Sequence, residues 1–446
     1  MNNLMHRRQF IQTTTAATVA LGVTSLFAEP ATKAAKPAIL GGQPAHPDGW
    51  PGWPRIDETD EKAFLGTLRS GAWFRYGGTQ VAGFEEQYAK LAGTKRCVAT
   101  SSGTSALYTA LGALEIGPGD EVILPPYTFV ATYNVIVLNY ALPIFVDVDV
   151  ATSQIDAGKI EAAITERTKA IMPVQLGGNV SDMDRIRAVA DKHKIPVIED
   201  ACQAHLAEWK GKMVGNWGLC GCFSFQASKN LNSGEGGAIL TNNEEFADLC
   251  AHFQDQGRER GKSAFAYSGN RGTNLRMTEF QGALLKTQMA RLEAQARRRD
   301  ENAQYLSQLL GQIPGIIPPG KYEGCTRNAY HLYMFRYNPE PFAGLPRDRF
   351  IDAMAKEGIP ISGGYGQMNR DQYVQTLRTN KHFQRLYSKE TLDRWEKQTH
   401  CPQNEKLCSE ALWLGQTMLL AERSDMEKIA EAARKVQAHA AEIAKA

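Results

Sequence analysis

The chain has 446 residues, 43% of them hydrophobic and 22% charged, which is typical of a soluble globular protein large enough for two domains. Its formal net charge of +2 gives no electrostatic basis for binding nucleic acid or an acidic membrane surface. The eight cysteines include no Cys-x-x-Cys pair, so a zinc or redox site is weakly supported and no metal site is predicted.

The N-terminal segment has the pattern of an export signal. The pair Arg7-Arg8 precedes Phe10 and a mildly apolar run that continues to Ala28. This pattern is typical of twin-arginine signals, and the run is too short and too polar for a stable transmembrane span. We predict a signal and linker over residues 1–35 and a periplasmic or exported protein. The alternatives are a disordered tail or membrane-facing helix, and a cytoplasmic protein.

The next segment is predicted to lack packed structure. Residues 29–56 are rich in Pro, Gly and Ala, which favours an extended linker and arm. Apolar residues at helical spacing then predict helices over residues 59–70, with Phe64 and Leu68 on one side, and over residues 81–92.

Short apolar strands alternate with helices through the middle of the chain. The strands are apolar along their whole length, as expected of strands buried on both faces. The alternation predicts a three-layer α/β domain with a mostly parallel sheet. The predicted strands are residues 96–100, 121–125, 143–149, 170–174 and 196–200, with another beginning at Cys222.

A long helix and a Pro/Gly-rich segment mark the end of this domain. Thr278 and Gln281 form a capping-box pattern, which predicts a helix to about Leu310. Residues 313–320 then break the pattern. We predict a large domain with an N-terminal arm over residues 36–310 and a smaller α+β domain over residues 311–446. The smaller domain's predicted elements are a strand over residues 331–337, a helix over residues 347–356 and a C-terminal helix opened by a capping box at residues 424–427.

A lysine between small residues is the first candidate for chemistry. Lys229 follows Ala227 and Ser228 and precedes a glycine-rich loop. A lysine partly removed from water has a lowered pKa and can attack a carbonyl to form a Schiff base. The alternative is an ordinary surface lysine.

An aspartate at a strand end is the second candidate. Asp200 follows apolar strand residues, and ligands in open α/β sheets bind at the carboxyl ends of strands. A carboxylate there can hold a protonated ring nitrogen, as pyridoxal phosphate requires. A helix N-cap or a magnesium ligand is the alternative.

A Ser/Gly/Thr turn and an aromatic residue complete the set. Residues 101–105 open a helix whose N–H groups can attract a phosphate. Gly103 permits close approach, and Thr104 and Ser105 add hydroxyl donors. Ser224 can add another hydroxyl, and Phe129 can stack on a planar ring. The alternatives are a common helix cap and a core aromatic residue.

These features occur in the order found in the fold-type I pyridoxal phosphate enzymes. The local sequence resembles the DegT/StrS sugar aminotransferase family from about residue 38 to the C-terminal helix. The matching segments are residues 102–106 (SGTSA), 117–122 (GPGDEV), 126–132 (PYTFVAT), 145–149 (FVDVD), 197–204 (VIEDACQA), 223–230 (FSFQASKN), 234–238 (GEGGA) and 274–281 (NLRMTEFQ).

The resemblance implies roles around the ring of pyridoxal 5'-phosphate. Lys229 would form the Schiff base and move the proton, and Asp200 would pair with the pyridine nitrogen. Phe129 would stack on the ring, and Gln203 would lie near its phenolic oxygen.

The resemblance also implies how the phosphate is held. Gly103, Thr104 and Ser224 would contact it. Asn274 resembles the asparagine that reaches the phosphate of the neighbouring subunit, so the resemblance implies a homodimer with shared active sites.

Substrate contacts are less sharply indicated. At Gln175, relatives often have histidine, and this difference concerns the substrate contacts more than the cofactor. The candidates for substrate contact, each with a structural role as the alternative, are Arg75, Tyr76, His331 and Tyr365.

The implied activity is amino transfer from glutamate or glutamine to a keto-sugar or keto-cyclitol. Relatives that lack the lysine carry out dehydration, and this chain keeps Lys229. Export would make nucleotide sugars less suitable as substrates, because they are mainly cytoplasmic. The alternative function is a pyridoxal phosphate-binding regulator or sensor without turnover. An unrelated nucleotide-binding protein is disfavoured, because the chain has neither a Walker loop nor a Gly-x-Gly-x-x-Gly turn.

Overall fold

A mostly parallel sheet forms the centre of the molecule. The computed structural model describes residues 35–259 and 271–446. Within these ranges, a four-stranded and a three-stranded block are joined by parallel bridges from Ile171 to Val197 and from Val174 to Asp200. From one edge to the other, the strands are Arg96–Thr100, Gly237–Thr241, Cys220–Ser224, Ile198–Asp200, Thr168–Ile171, Glu121–Leu124 and Leu142–Phe145.

The strands of this sheet are enclosed on both faces. Gly237–Thr241 is antiparallel to both of its neighbours, and the other pairs are parallel. Every residue of Cys220–Ser224 is buried, as expected where helices cover both sides. The predicted α/β fold with a mostly parallel sheet is confirmed. The helices are Glu58–Ser70, Gln80–Ala92, Gly103–Ala113, Ala131–Leu138, Met183–His193, Glu244–Gln254, Glu279–Leu310, Arg347–Lys356, Gln372–Thr376, Lys381–Leu386, Lys389–Gln398, Pro402–Glu410, Arg423–Ala438 and Ala440–Ile443.

A second hydrophobic cluster lies in the C-terminal part. It includes residues from the end of Glu279–Leu310, from Arg347–Lys356 and from Arg423–Ala438. A three-stranded antiparallel sheet contributes to it, with the order Ile316–Ile317, Leu332–Tyr337 and Ala411–Gly415. The predicted division at residues 310 and 311 stays a prediction. The remaining strands are Val148–Asp149, Gln154–Ile155, Glu208–Trp209, Lys212–Met213 and Cys325–Arg327.

Two predicted elements differ in the structure. The predicted strand over residues 143–149 is divided, because Leu142–Phe145 pairs within the central sheet whereas Val148–Asp149 pairs with Gln154–Ile155. Between the two parts, the Asp147 carboxylate accepts N–H bonds from Gln403 (3.0 Å) and Asn404 (2.9 Å). The C-terminal helix has its capping box at Glu422 and Asp425 instead of residues 424–427, since carboxylates accept N–H bonds there as hydroxyls do. The capping box at Thr278 and Gln281 is present as predicted.

The predicted unpacked arm is the main error in the fold prediction. Glu357, fully buried, accepts N–H bonds from Ala38 and Ala45, both at 2.7 Å, and pairs with Lys435 at 2.6 Å. Trp50 also donates its indole N–H to the carbonyl of Gly358 (2.9 Å). The arm therefore packs against the C-terminal part through contacts between residues more than 300 positions apart in the sequence.

The predicted twin-arginine segment, in residues 1–34, lies outside the described residues. In the part of the chain that the structure describes, no helix combines the length and apolar character needed to cross a membrane.

Replacing Glu357 by alanine should lower the free energy of unfolding by about 3–5 kcal/mol, because it leaves the Lys435 ammonium buried without its carboxylate. Denaturant unfolding followed by circular dichroism measures this change. Glu293→Ala is the control, since Glu293 pairs with Arg327 while about half exposed, and it should cost about 1 kcal/mol or less. Equal losses in the two variants would contradict the anchoring role of Glu357.

Candidate active site

A cavity of about 750 Å³ opens at the carboxyl ends of the central strands. Ligands bind at this position in open α/β sheets, and the volume suits a small molecule. The structure brings seven of the eight predicted site residues together in its wall. They are Gly103, Thr104, Phe129, Asp200, Gln203, Ser224 and Lys229.

The loop after Cys220–Ser224 holds Lys229 at the cavity wall. Its backbone is fixed by hydrogen bonds from the N–H of Ala227 to the carbonyl of Gly234 and from the N–H of Lys229 to the carbonyl of Gln226, both at 2.8 Å. Within the described ranges, the Lys229 amine forms no hydrogen bond or ion pair. Burial lowers the pKa of Lys229, against smaller opposing effects of Cys202 and Asp200. More of this amine is therefore neutral at a given pH than in a surface lysine.

Asp200 is held at the end of its strand with both carboxylate oxygens oriented. The side chain is 5% exposed. The Thr132 hydroxyl donates to one oxygen (2.8 Å), and the N–H of Cys202 donates to the other (3.2 Å). Asp200 pairs with Cys222 in the neighbouring parallel strand, so its position follows from the sheet register. The cavity wall therefore contains an oriented carboxylate, Asp200, and an amine, Lys229.

Two buried imidazoles near Lys229 are uncharged at neutral pH. Burial lowers the pKa of His205 to about 3, and its ring bonds the Tyr88 hydroxyl (3.0 Å) and the Ser224 carbonyl (2.8 Å). Burial and then the charge of Lys229 lower the pKa of His331, which lines the cavity. Neither ring adds a positive charge to the site.

The start of helix Gly103–Ala113 forms a tight cradle. Ser102 caps the helix by accepting the N–H of Ser105 (3.0 Å). A Cβ at Gly103 would lie 2.6 Å from Cβ of Ser224 and 2.9 Å from Sγ of Cys202, so only glycine fits this close approach. The Ser105 hydroxyl, predicted as a phosphate donor, instead contacts the hydroxyls of Ser101 and Ser102 and is not in the wall.

Gln203 links the cavity to an aromatic group. Its Oε1 accepts the N–H of Gly177 (2.7 Å), and its Nε2 donates to the Tyr365 hydroxyl (3.0 Å). Burial raises the pKa of Tyr365 to about 12, so this phenol stays protonated. Phe129, 55% exposed, lies with its ring centre 6.4 Å from that of Tyr365.

Three predicted contacts lie elsewhere. Asn274 is exposed and does not line this cavity, so its role toward a neighbouring subunit stays a prediction. Nη2 of the buried Arg75 donates to both carboxylate oxygens of Glu85, at 2.7 and 2.8 Å. Tyr76 donates to Asp255 (2.7 Å). Arg75 and Tyr76 thus have structural contacts and are outside the cavity wall, whereas His331 and Tyr365 are in it.

The predicted importance of Gln175 for substrate contacts is not supported by its position. Gln175 is fully buried, donates to Glu199 (3.2 Å) and accepts the N–H of Ser181 (2.8 Å). It does not line the cavity.

Several wall residues were not predicted from the sequence. Thr132 lies in a matching segment, so its place there was the available signal. Trp53, Trp413, Gln416 and Thr417 reach the cavity from both ends of the chain, and no local motif marks them.

Comparison with known proteins agrees with this geometry. A model of the DegT/DnrJ/EryC1/StrS aminotransferase family matches residues 54–434. The L-glutamine:2-deoxy-scyllo-inosose aminotransferase of Streptoalloteichus tenebrarius is 36% identical over 431 residues, which cover 91% of this chain and 98% of that relative.

Solved structures give the same result. The crystal structure of 3-amino-5-hydroxybenzoic acid synthase matches with a TM-score of 0.75 and 32% identity, covering 88% of this chain and 98% of that one. NtdA from Bacillus subtilis with bound cofactor PMP matches with a TM-score of 0.73 and 27% identity, covering 89% of this chain and 87% of that one.

In the protein without cofactor, Lys229 should be acetylated by acetic anhydride at lower pH than the exposed Lys90, because burial lowers its pKa and only the neutral amine reacts. Mass spectrometry of peptides over a pH series measures both rates. Identical pH profiles for the two lysines would contradict the lowered pKa, and loss of the fast site in Lys229→Arg confirms its assignment.

Gly103→Ala should weaken pyridoxal phosphate binding by about tenfold or more, since the added methyl group must displace Ser224 or Cys202. Spectral titration of the apoprotein measures the dissociation constant. Gly49→Ala, where the added Cβ meets no atom within 4 Å, is the control and should bind as the wild type does. Unchanged affinity in Gly103→Ala would contradict a close approach of the cofactor to this turn.

Proposed function

Because the chain belongs to the DegT/DnrJ/EryC1/StrS aminotransferase family, we propose that it transfers the amino group of glutamine to the ketone of a cyclic polyol. It is a pyridoxal phosphate-dependent aminotransferase. The observation that carries the proposal is that the Lys229 amine and the Asp200 carboxylate line one cavity. The donor and the ketone are supported by the name of the inosose aminotransferase relative.

The residues present fit the cofactor. Pyridoxal phosphate, when bound, supplies an aldehyde and an electron-withdrawing ring. Asp200 would accept a hydrogen bond from the ring nitrogen, while Thr132 and the Cys202 N–H keep its carboxylate oriented. Phe129 would stack on the ring, and Gln203 would lie near the phenolic oxygen. The phosphate would be held by Gly103, Thr104 and Ser224.

Lys229 is the residue that moves protons. Its neutral amine would take the proton from the α-carbon of the donor and deliver it to the cofactor. In the half-reaction with the ketone, the same amine would move a proton in the opposite direction, from the cofactor to the substrate carbon. The lowered pKa of Lys229 keeps a larger share of the amine in the neutral form that acts as the base. Burial lowers the pKa of His205 and His331, so these imidazoles are weak bases and do not compete with Lys229 for this role.

The holoenzyme should lose its visible aldehyde absorbance with L-glutamine and regain it with scyllo-inosose. Lys229→Ala should slow both half-reactions by at least about a hundredfold, because the proton transfer is lost. Lys95→Ala, which removes an exposed amine 3.6 Å from Glu244, is the control and should react normally. Bleaching without recovery by any cyclic ketone would contradict the proposed acceptor, and full turnover by Lys229→Ala would contradict the proposed catalyst.

We also propose a homodimer with shared active sites. Exposed apolar side chains that an interface would bury lie on helix Glu58–Ser70 and just after it. Phe64, Leu65, Leu68, Trp73 and Phe74 are 39–50% exposed. Exposed Asn274, outside the cavity of its own chain, suits contact with a neighbouring site.

Mixing two inactive variants, Lys229→Ala and Asn274→Ala, under conditions of subunit exchange should restore activity. In a hybrid dimer, one of the two sites then has both wild-type residues. No recovery despite confirmed exchange would contradict shared sites, and a monomer in sedimentation analysis would contradict the dimer.

Export by the twin-arginine route is proposed from Arg7-Arg8 and the apolar run after them. Changing both arginines to lysine should retain the protein in the cytoplasmic fraction. Equal fractionation of the two forms would contradict export by this route.

A further inference from the structure

One wall of the cavity is built around an amide. Gln416 follows strand Ala411–Gly415, is 4% exposed and lines the cavity beside Trp53 and Thr417. None of these residues takes part in the proposed proton transfer.

A buried cation lies directly behind this amide. Arg299, on the long helix Glu279–Leu310, is fully buried, and its Nε and Nη2 donate to Oε1 of Gln416 at 2.9 and 2.6 Å. Its guanidinium carbon lies 5.4 Å from the ring centre of Trp53. Among the described residues, no carboxylate pairs with Arg299, and its Nη1 has no hydrogen-bond partner. The positive charge is therefore not neutralised within this part of the chain.

The Arg299 contact determines which way the amide points. A guanidinium has donors and no acceptor, so Gln416 must present its oxygen to Arg299. The Nε2 group then faces away from Arg299, and no described residue accepts a hydrogen bond from it. Because Gln416 is in the cavity wall, this N–H₂ group is available to a ligand there.

We propose that Gln416 binds the α-carboxylate of the amino donor through Nε2, with Arg299 as the positioning residue behind it. This inference rests on the proposed function. A carboxylate is favoured over a ring hydroxyl because the unneutralised charge of Arg299 attracts an anion. Among the cavity-lining residues that the structure describes, Lys229 is the only lysine or arginine, and it is occupied with proton transfer. Apart from the turn at Gly103, which would hold the phosphate, Gln416 with Arg299 behind it is therefore the site in this wall that suits a negative group.

The test compares L-glutamine with L-glutamine methyl ester, which lacks the carboxylate charge, in single turnovers of the holoenzyme. Gln416→Ala should raise the apparent dissociation constant for L-glutamine by about 10- to 100-fold, the expected effect of a lost hydrogen bond to a charged group. The apparent dissociation constant for the methyl ester should rise much less. The preference of the enzyme for L-glutamine over its methyl ester should therefore become smaller. The ketone half-reaction should change little, because the cyclic polyol has no carboxylate.

Two further variants distinguish a local effect of Gln416 from a general loss of folded protein. Gln416→Glu keeps an oxygen facing Arg299 and replaces the N–H₂ group with a negative oxygen, so it should reject L-glutamine more strongly than Gln416→Ala while still accepting the ester. Gln304→Ala, which removes an exposed glutamine from the same helix as Arg299, should match the wild type. Calorimetric titration with α-methyl-L-glutamine, which has no α-proton and binds without turnover, should give the same order of affinities.

The outcomes separate the inference from the proposed function. Equal losses for the free acid and the ester, or a loss confined to the ketone half-reaction, would overturn the role of Gln416 while leaving glutamine as the donor. A wild-type protein that does not react with L-glutamine would overturn the proposed donor and this inference together.

Discussion

An amine and a carboxylate in the wall of one cavity determine what this structure can do. Asp200 ends one strand, and Lys229 lies in the loop that leaves its parallel neighbour, so both residues lie at the same end of the sheet. The carboxylate is held by two donors, while the amine has no partner within the described residues. The Asp200 carboxylate is therefore held in one orientation, and the Lys229 amine is available to react.

The surroundings divide the cavity into a cofactor end and a substrate end. The cofactor end consists of a glycine turn, hydroxyls and the strand-end carboxylate, all within the central sheet and its helices. The proposed substrate end is formed by Trp53 of the N-terminal arm and by residues of the segment 413–417, in and after the strand Ala411–Gly415. Arg299 of the long helix lies behind Gln416, outside the cavity wall. The buried Glu357–Lys435 pair that anchors the arm holds the segment leading to Trp53 in place.

The cofactor end could be predicted from the sequence because its residues lie in short motifs at strand and helix ends. Asp200, Gly103 and Lys229 are each placed by local structure. Trp53 and Gln416 could not be predicted, since they meet only through contacts between distant parts of the chain. The packing of the arm could not be predicted for the same reason. Its Pro/Gly-rich composition predicts no helix or strand, yet the buried carboxylate of Glu357, hundreds of residues away, holds it in place.

Borohydride reduction of the holoenzyme, followed by peptide mass spectrometry, tests directly whether Lys229 is the residue that holds the cofactor. The reduction fixes pyridoxal phosphate permanently to whichever amine holds it. We expect the added mass on the peptide that contains Lys229, and none on peptides with other lysines. A label on any other lysine, with the Lys229 peptide unmodified, would contradict it.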